Sequence, residues 1–176
     1  MKLKIYSNFK FKLRIVFLFV AVVAINSCKE DPQLWKVDSE EQVIGDYIAS
    51  NPEYSEFNKL IELAGMKALL RIRGPFTVFL PTNEAMMDYY AMKGVSGLEE
   101  FSDDVQEDIC RNHFVDAFIG TGDIGLGALR EVNGLGDYLS SEFDGSDILI
   151  SKTSKIIQRD IYCSNGVVQI MDKVMD

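Results

Sequence analysis

Helical patterns lead this chain and strand patterns close it, an order that predicts an α+β domain. Three observations carry the prediction. Apolar residues recur at three- and four-residue spacing between positions 43 and 64. The stretch 74–86, GPFTVFLPTNEAM, joins a turn, an apolar strand and a helix start with no spare residue between them. From residue 137 onward, runs rich in β-branched and aromatic residues alternate with turn dipeptides.

The elements follow in chain order. Ser39-Glu40-Glu41-Gln42 reads as a capping box opening a helix whose inner face carries Val43, Ile44, Tyr47 and Ile48. Asn51-Pro52 interrupts it. Phe57, Leu60, Ile61 and Ala64 mark a second helix that stops at Gly65, and 66–70 reads as a short third. Gly74-Pro75 then turns the chain into a strand over 76–80. Pro81 ends that strand by withholding a ladder donor, and Thr82 or Asn83 caps a helix over 83–92 with Glu84 at the positive end of its dipole. After a loop at 94–97, Ser102 caps a helix over 103–112. Val105, Ile109 and Cys110 face inward on it, while Asp103, Asp104, Glu107 and Asp108 face water. Residues 113–119 are β-rich, and glycines at 120, 122, 125 and 127 make a flexible crossing. Strands are predicted over 137–143, 147–151, 155–163 and 167–172. Asp144-Gly145 is a turn between them, and Asn165-Gly166 a type I′ hairpin turn.

The first 27 residues carry Lys2, Lys4, Lys10, Lys12 and Arg14, no acids, and then the apolar run 15–25. A basic region before about 11 apolar residues is the pattern of a secretory leader, since a spanning helix needs about 20. Ser27 immediately before Cys28 resembles a bacterial lipobox, which implies acylation at Cys28. Lys29-Glu30-Asp31 resembles the lysine-plus-acids signal for the outer face of an outer membrane. The expected organisation is therefore a leader over 1–27, a polar tether over 28–38 and one domain over 39–176, lipid-anchored to the outer membrane and exposed at the cell surface.

Loss of the five leader cations from a total of 18 leaves 13 basic against 27 acidic residues, a net charge of −14. Nucleic acid is excluded, because its phosphates demand a basic face. Of three cysteines, Cys28 belongs to the lipid. For Cys110 and Cys163 the compartment permits a disulfide, and a pair of buried thiols is the alternative. No Cys-x-x-Cys pair or His cluster suggests a metal, and no cofactor motif is present.

The run 74–86 resembles the first signature of fasciclin-type (FAS1) domains, with Thr77, Phe79, Pro81, Thr82, Asn83 and Ala85 in its key positions. The run 165–175, NGVVQIMDKVM, resembles the second through Asn165, Gly166 and Asp172. The resemblance implies a fold of N-terminal helices packed on a wedge of β-sheets. It implies a module for adhesion, or for binding a protein or glycan partner, and not an enzyme. His113 matches the histidine of the family's central Tyr-His pair, while Asn112 replaces the tyrosine and Gln169 stands where a second histidine is frequent. No Arg-Gly-Asp occurs.

Two other classes compete. The same anchor and fold would serve an accessory subunit of an outer-membrane uptake or assembly complex. A hydrolase is the third, since Cys110 and His113 are three residues apart on one helical pattern. The structural reading of His113, a ring satisfying backbone groups where helix becomes strand, needs no oxyanion hole and no orienting group. The acids of 103–108 fall along one face of a helix, unlike a calcium loop or a pair of glycosidase carboxylates.

Overall fold

A computed structural model describes residues 42–72 and 74–176. The expected leader, the lipidation site Cys28, the tether and Ser39, the expected cap, lie outside the described residues. Among the described residues two α-helices, α1 (Ile44–Ser50) and α2 (Ser55–Leu63), precede the first strand, β1 (Phe76–Pro81). Then come α3 (Asn83–Lys93), α4 (Asp103–Asn112) and the short β2 (Phe114–Val115). The remainder is β3 (Gly127–Val132), β4 (Tyr138–Asp144), β5 (Asp147–Ile150), β6 (Ser154–Cys163) and β7 (Gly166–Met171).

The seven strands form one sheet in the order β2-β1-β7-β6-β5-β4-β3, in which β1 and β7 run parallel and every other neighbour pair antiparallel. The sheet curls until its two ends meet. Val115 of β2 bridges to Asn133 just beyond β3, and the Gly134 N–H donates to the Phe114 carbonyl at 2.8 Å.

That curl creates two cores, and β1 and β7 stand between them. Side chains alternate across a strand. Phe76, Val78, Leu80, Val168 and Ile170 point into the core shared with the helices, among Ile44, Phe57, Leu60 and Met86. Phe79 and Met171 point the other way, among Val115, Leu129, Leu139, Ile148 and Ile150. All twelve positions of β1 and β7 are buried. Each large apolar side chain so buried contributes about 1.5–3 kcal/mol.

Several expectations need correction. Helix α1 begins at Ile44, and Val43 is its N-cap residue without a side-chain bond. The short third helix is a single 3₁₀ turn, Leu69–Arg71. Pro81 is the last residue of β1, paired with Met171, and the ladder passes it because the Thr82 N–H donates to the Met171 carbonyl at 3.3 Å. Ser102 occupies the N-cap of α4 but makes no side-chain cap bond. On α4 it is Gln106 that is buried, its Nε2 donating to the carbonyls of Leu98 and Phe101 at 3.0 and 3.1 Å, while Val105 is exposed. Only Phe114–Val115 of the β-rich run is a strand. β3 was not expected: Gly127 opens it, Arg130-Glu131 interrupts alternation, and an edge strand with one buried side chain leaves a faint pattern. Finally, the two-residue turn between β6 and β7 is Ser164-Asn165. Positive φ is absent from both, so the turn is not type I′, and Gly166 is already in β7.

Candidate functional site

The first signature is consumed by the packing of β1 against its neighbours. Thr77 donates from Oγ1 to the Ala117 carbonyl at 2.6 Å and accepts from the Ile119 N–H at 2.8 Å, so one hydroxyl ties the crossing to β1. Thr82 accepts at Oγ1 from the Ala85 N–H at 3.2 Å. That bond caps α3. Asn83 reaches sideways to α2: its Oδ1 accepts from the Glu56 N–H at 3.0 Å and its Nδ2 donates to the Pro52 carbonyl at 2.8 Å.

The second signature closes the other end. Asn165 accepts at Oδ1 from the Ile44 N–H at 2.8 Å and donates from Nδ2 to the carbonyls of Leu70 and Ile72, both at 2.9 Å. Its side chain thus caps α1, the task expected of Ser39. Gly166 lies so close to β1 that a Cβ there would overlap the Phe76 carbonyl oxygen. Asp172 and Lys155 bond reciprocally, the Lys155 N–H to Oδ1 at 2.7 Å and the Asp172 N–H to the Lys155 carbonyl at 3.0 Å.

His113 is fully buried at the end of α4, with the Phe57 ring edge-on at 5.3 Å between centroids. Nδ1 lies 2.7 Å from the Ile109 carbonyl and Nε2 2.9 Å from the Met175 N–H. A carbonyl can only accept and an N–H only donate, so the proton is on Nδ1 and Nε2 is the acceptor. Burial pushes the imidazole pKa down to about 4, against a smaller upward pull from the Ile109 carbonyl. Both nitrogens are engaged by backbone, leaving none to serve as a general base. Cys110 is a buried free thiol pushed up to about 12 by burial, so neither the nucleophile of the hydrolase reading nor a Cys110–Cys163 disulfide is formed. Cys163 is buried in the same helix-side core.

A polar network that sequence reasoning missed lies on the far side of β7. Gln169 accepts at Oε1 from the Asp160 N–H at 2.9 Å and donates from Nε2 to Asp160 Oδ1 at 2.8 Å and to the Ile119 carbonyl at 3.2 Å. Asp160 sits at a positive φ of 54°, within a stretch where the β6–β7 register shifts. Such a shift bends the strand and turns its side chain aside. The Asp160 carboxylate accepts from the N–H and hydroxyl of Thr121. Burial works to raise its pKa, but the bonds from Thr121 and Gln169 together hold it below the usual value. The sequence signal was a lone glutamine inside an otherwise apolar strand.

The network pins down the start of the 116–126 crossing. Between that crossing and β3 lies an open cleft of about 530 Å³, lined by Phe118, Ile119, Asp123, Leu129, Arg130 and Glu131 among others. Phe118 stacks on Tyr162, centroids 6.0 Å apart and planes 15° from parallel. Among the described residues no group of three or more His, Cys, Asp and Glu is placed to hold a metal ion, and none of their buried side-chain nitrogens or oxygens lacks a hydrogen-bond partner.

Helices on one face of a curled sheet, with the polar side chains of β1 and β7 committed to backbone and to one another, define an α+β packing domain whose free chemistry lies at its surface. The chain belongs to the fasciclin family: the Fasciclin domain profile matches residues 52–176. It is 32% identical over 150 residues to human Stabilin-1, covering 77% of this chain and 5% of that protein. It is 28% identical over 127 residues to protein sll1483 of a Synechocystis strain, covering 72% of this chain and 69% of that protein. With human periostin it shares 26% over 182 residues, covering 93% of this chain and 21% of that protein. The chain therefore spans only a small part of the two human relatives. A solved FAS1 domain pair from the insect cell adhesion molecule fasciclin I has the same fold, with a TM-score of 0.62 at 16% identity over 77% of this chain and 51% of that one.

Proposed function

We propose that this chain is a lipid-anchored fasciclin module, displayed at the cell surface, that adheres to a protein or glycan partner without catalysis. Membership of the fasciclin family over residues 52–176 carries the reading, together with the likeness to a domain pair from a cell adhesion molecule. The basic and apolar leader ending at Ser27-Cys28 supports the anchor. Burial of both signatures supports placing the partner contact elsewhere, on exposed residues of the sheet and crossing.

The test is made on whole cells. Cys28→Ala should abolish acyl labelling and leave an uncleaved precursor. Cells carrying the wild-type chain should lose it to external protease and should adhere to immobilised matrix proteins or glycans better than cells carrying Cys28→Ala. Adhesion equal in the two strains, with the chain recovered instead in a stoichiometric envelope complex, would replace this reading with that of an accessory subunit.

A further inference from the structure

We propose that the outer edge of β3 takes an extended polypeptide segment of a partner as one more strand, laid into the cleft beside the crossing. This rests on the adhesion reading above, and it assigns the partner a chemical class, protein, and the contact a place.

β3 is the last strand of the sheet and pairs with β4 on one side only. At the other end of the sheet, β2 is met by Asn133 and Gly134, which lie just past β3. From Gly127 to Glu131, no strand among the described residues lies on the outer side, and no backbone bond joins that stretch to the crossing. Such an edge presents N–H and C=O groups at strand spacing, which another extended backbone matches along its length. At about 3.3 Å per residue the open stretch is roughly 13 Å long and seats about four residues. A register shift against β4 between Ala128 and Val132 bends it. That bend, with the charges of Arg130 and Glu131, deters indiscriminate pairing.

The crossing does not close the gap, because its backbone is committed on its other side. The Ala117 carbonyl and the Ile119 N–H bond to Thr77 Oγ1, and the Ile119 carbonyl accepts from Gln169. The Thr121 N–H donates to Asp160, and the Gly125 carbonyl accepts from Ser141. These bonds fix the crossing, and a cleft of about 530 Å³ separates it from β3. The slot is therefore formed before any partner arrives, which lowers the ordering cost of binding.

The lining sets the side chains of the incoming strand. Ile119, Ile124 and Leu129 make an apolar floor, while Asp123, Arg130 and Glu131 are exposed at the rim. Side chains of a strand alternate between faces, so one set meets the floor and is apolar and the other faces water and is polar. Gly122 and Gly125 line the wall, and a Cβ at either would meet nothing within 4 Å, which leaves room for a second backbone. The rim charges argue against a second copy of this chain as the occupant. In two-fold antiparallel pairing centred on Arg130 or on Glu131, that residue faces itself, and like charges directly opposite are destabilising. A partner segment with uncharged polar residues meets no such conflict.

The test uses the full chain in detergent, titrated with capped heptapeptides in which threonine alternates with valine, isoleucine or leucine. Each is also made with its central amides N-methylated, which removes main-chain donors and keeps the side chains. At least one unmethylated peptide should bind with a Kd of about 1 mM or tighter, and its methylated form at least about tenfold more weakly. Binding should slow hydrogen exchange of the amides of 128–131 about tenfold or more. Gly125→Phe, which fills the slot, should weaken binding about tenfold or more at an unchanged melting midpoint, while Lys67→Ala in the helical layer should not. Should Gly125→Phe fail to fold, the exchange pattern of the wild-type chain decides. Equal binding of methylated and unmethylated peptides, or protection that misses 128–131, would overturn the inference. A dimer of the chain that protects the same amides without peptide would overturn the choice of occupant. No binding of any of these peptides by a chain that still mediates cell adhesion would overturn the inference and leave the adhesion reading standing on another partner.

Discussion

The central pair β1 and β7 and the outer strands β3 to β5 belong to one sheet, yet they use their side chains in opposite ways. Every residue of the pair is buried, and its polar members Thr77 and Gln169 are committed to the crossing and to Asp160. In β3 only Leu129 is buried, and in β4 the buried residues are Leu139 and Ser141. A strand packed on both faces has no side chain to spare for a partner. A strand at the edge has several, and the cleft lined by Arg130 and Glu131 of β3 is found there. The signature residues therefore report how the domain is built, and the side chains left exposed lie where those residues do not reach.

Two glycines test that contrast most severely. At Gly166 a Cβ would run into the carbonyl oxygen, carbonyl carbon and nitrogen of Phe76. Those are backbone atoms of a buried strand and cannot step aside. Gly166→Ala should cost more than about 4 kcal/mol, a large share of the stability of an ordinary domain. Gly122, in the crossing, has nothing within 4 Å of the same position. Gly122→Ala should shift stability by less than about 0.5 kcal/mol. Thermal melts followed by circular dichroism decide it, and equal melting midpoints for the two variants would erase the distinction between the regions.

What was legible in the sequence follows the same division. The strand over 76–80 and the helix after Thr82 stand out because turn, double-faced burial and cap each constrain neighbouring residues. The strand ends from residue 137 onward agree with the structure to within one residue. By contrast, β3 opens on a glycine and has charged residues within it, so neither alternation nor propensity marks it. The long-range bonds were beyond reach for another reason. Asn165 capping α1 across 121 residues, or Gln169 reaching Asp160 through a register shift, depends on which strands become neighbours, and local spacing carries no trace of that. The cleft is invisible for the same reason, since its walls come from the crossing and from the unforeseen β3.

His113 sharpens the comparison through pH. In the folded chain its pKa is about 4 and in the unfolded chain near the ordinary 6.5, so between those values the unfolded state binds more protons. Stability from this group is complete above the ordinary value and is lost as pH falls from there towards the folded one, by on the order of 3 kcal/mol in all. Asp160, on the network side, behaves differently: its depressed pKa contributes stability above the carboxylate range, lost only as pH falls below it. His113→Gln keeps one donor and one acceptor and removes the titration. The variant should be less stable at pH 7 by about 1–3 kcal/mol, and the difference from wild type should shrink steadily on the way to about pH 4.5. Urea midpoints measured across that range check it, and a gap of constant size would mean that His113 does not titrate with folding.

The smallest effect separates two helix starts that look alike in sequence. Thr82 and Ser102 both occupy N-cap positions with extended backbone. Thr82 follows directly from β1, where the ladder to Met171 fixes its backbone and aims Oγ1 at the Ala85 N–H. Ser102 follows the 3₁₀ turn Leu98–Glu100, with no such strand behind it, and its hydroxyl makes no cap bond. Thr82→Ala should therefore cost about 0.5–2 kcal/mol, and Thr82→Ser, which keeps the acceptor, much less. Ser102→Ala should change stability by less than about 0.5 kcal/mol. Hydroxyl identity alone does not make a cap: its worth comes from the rigidity of the strand that positions it. A loss at Ser102 equal to that at Thr82 would show that α4 draws on a cap bond in solution, and that the preceding strand is not what makes the difference.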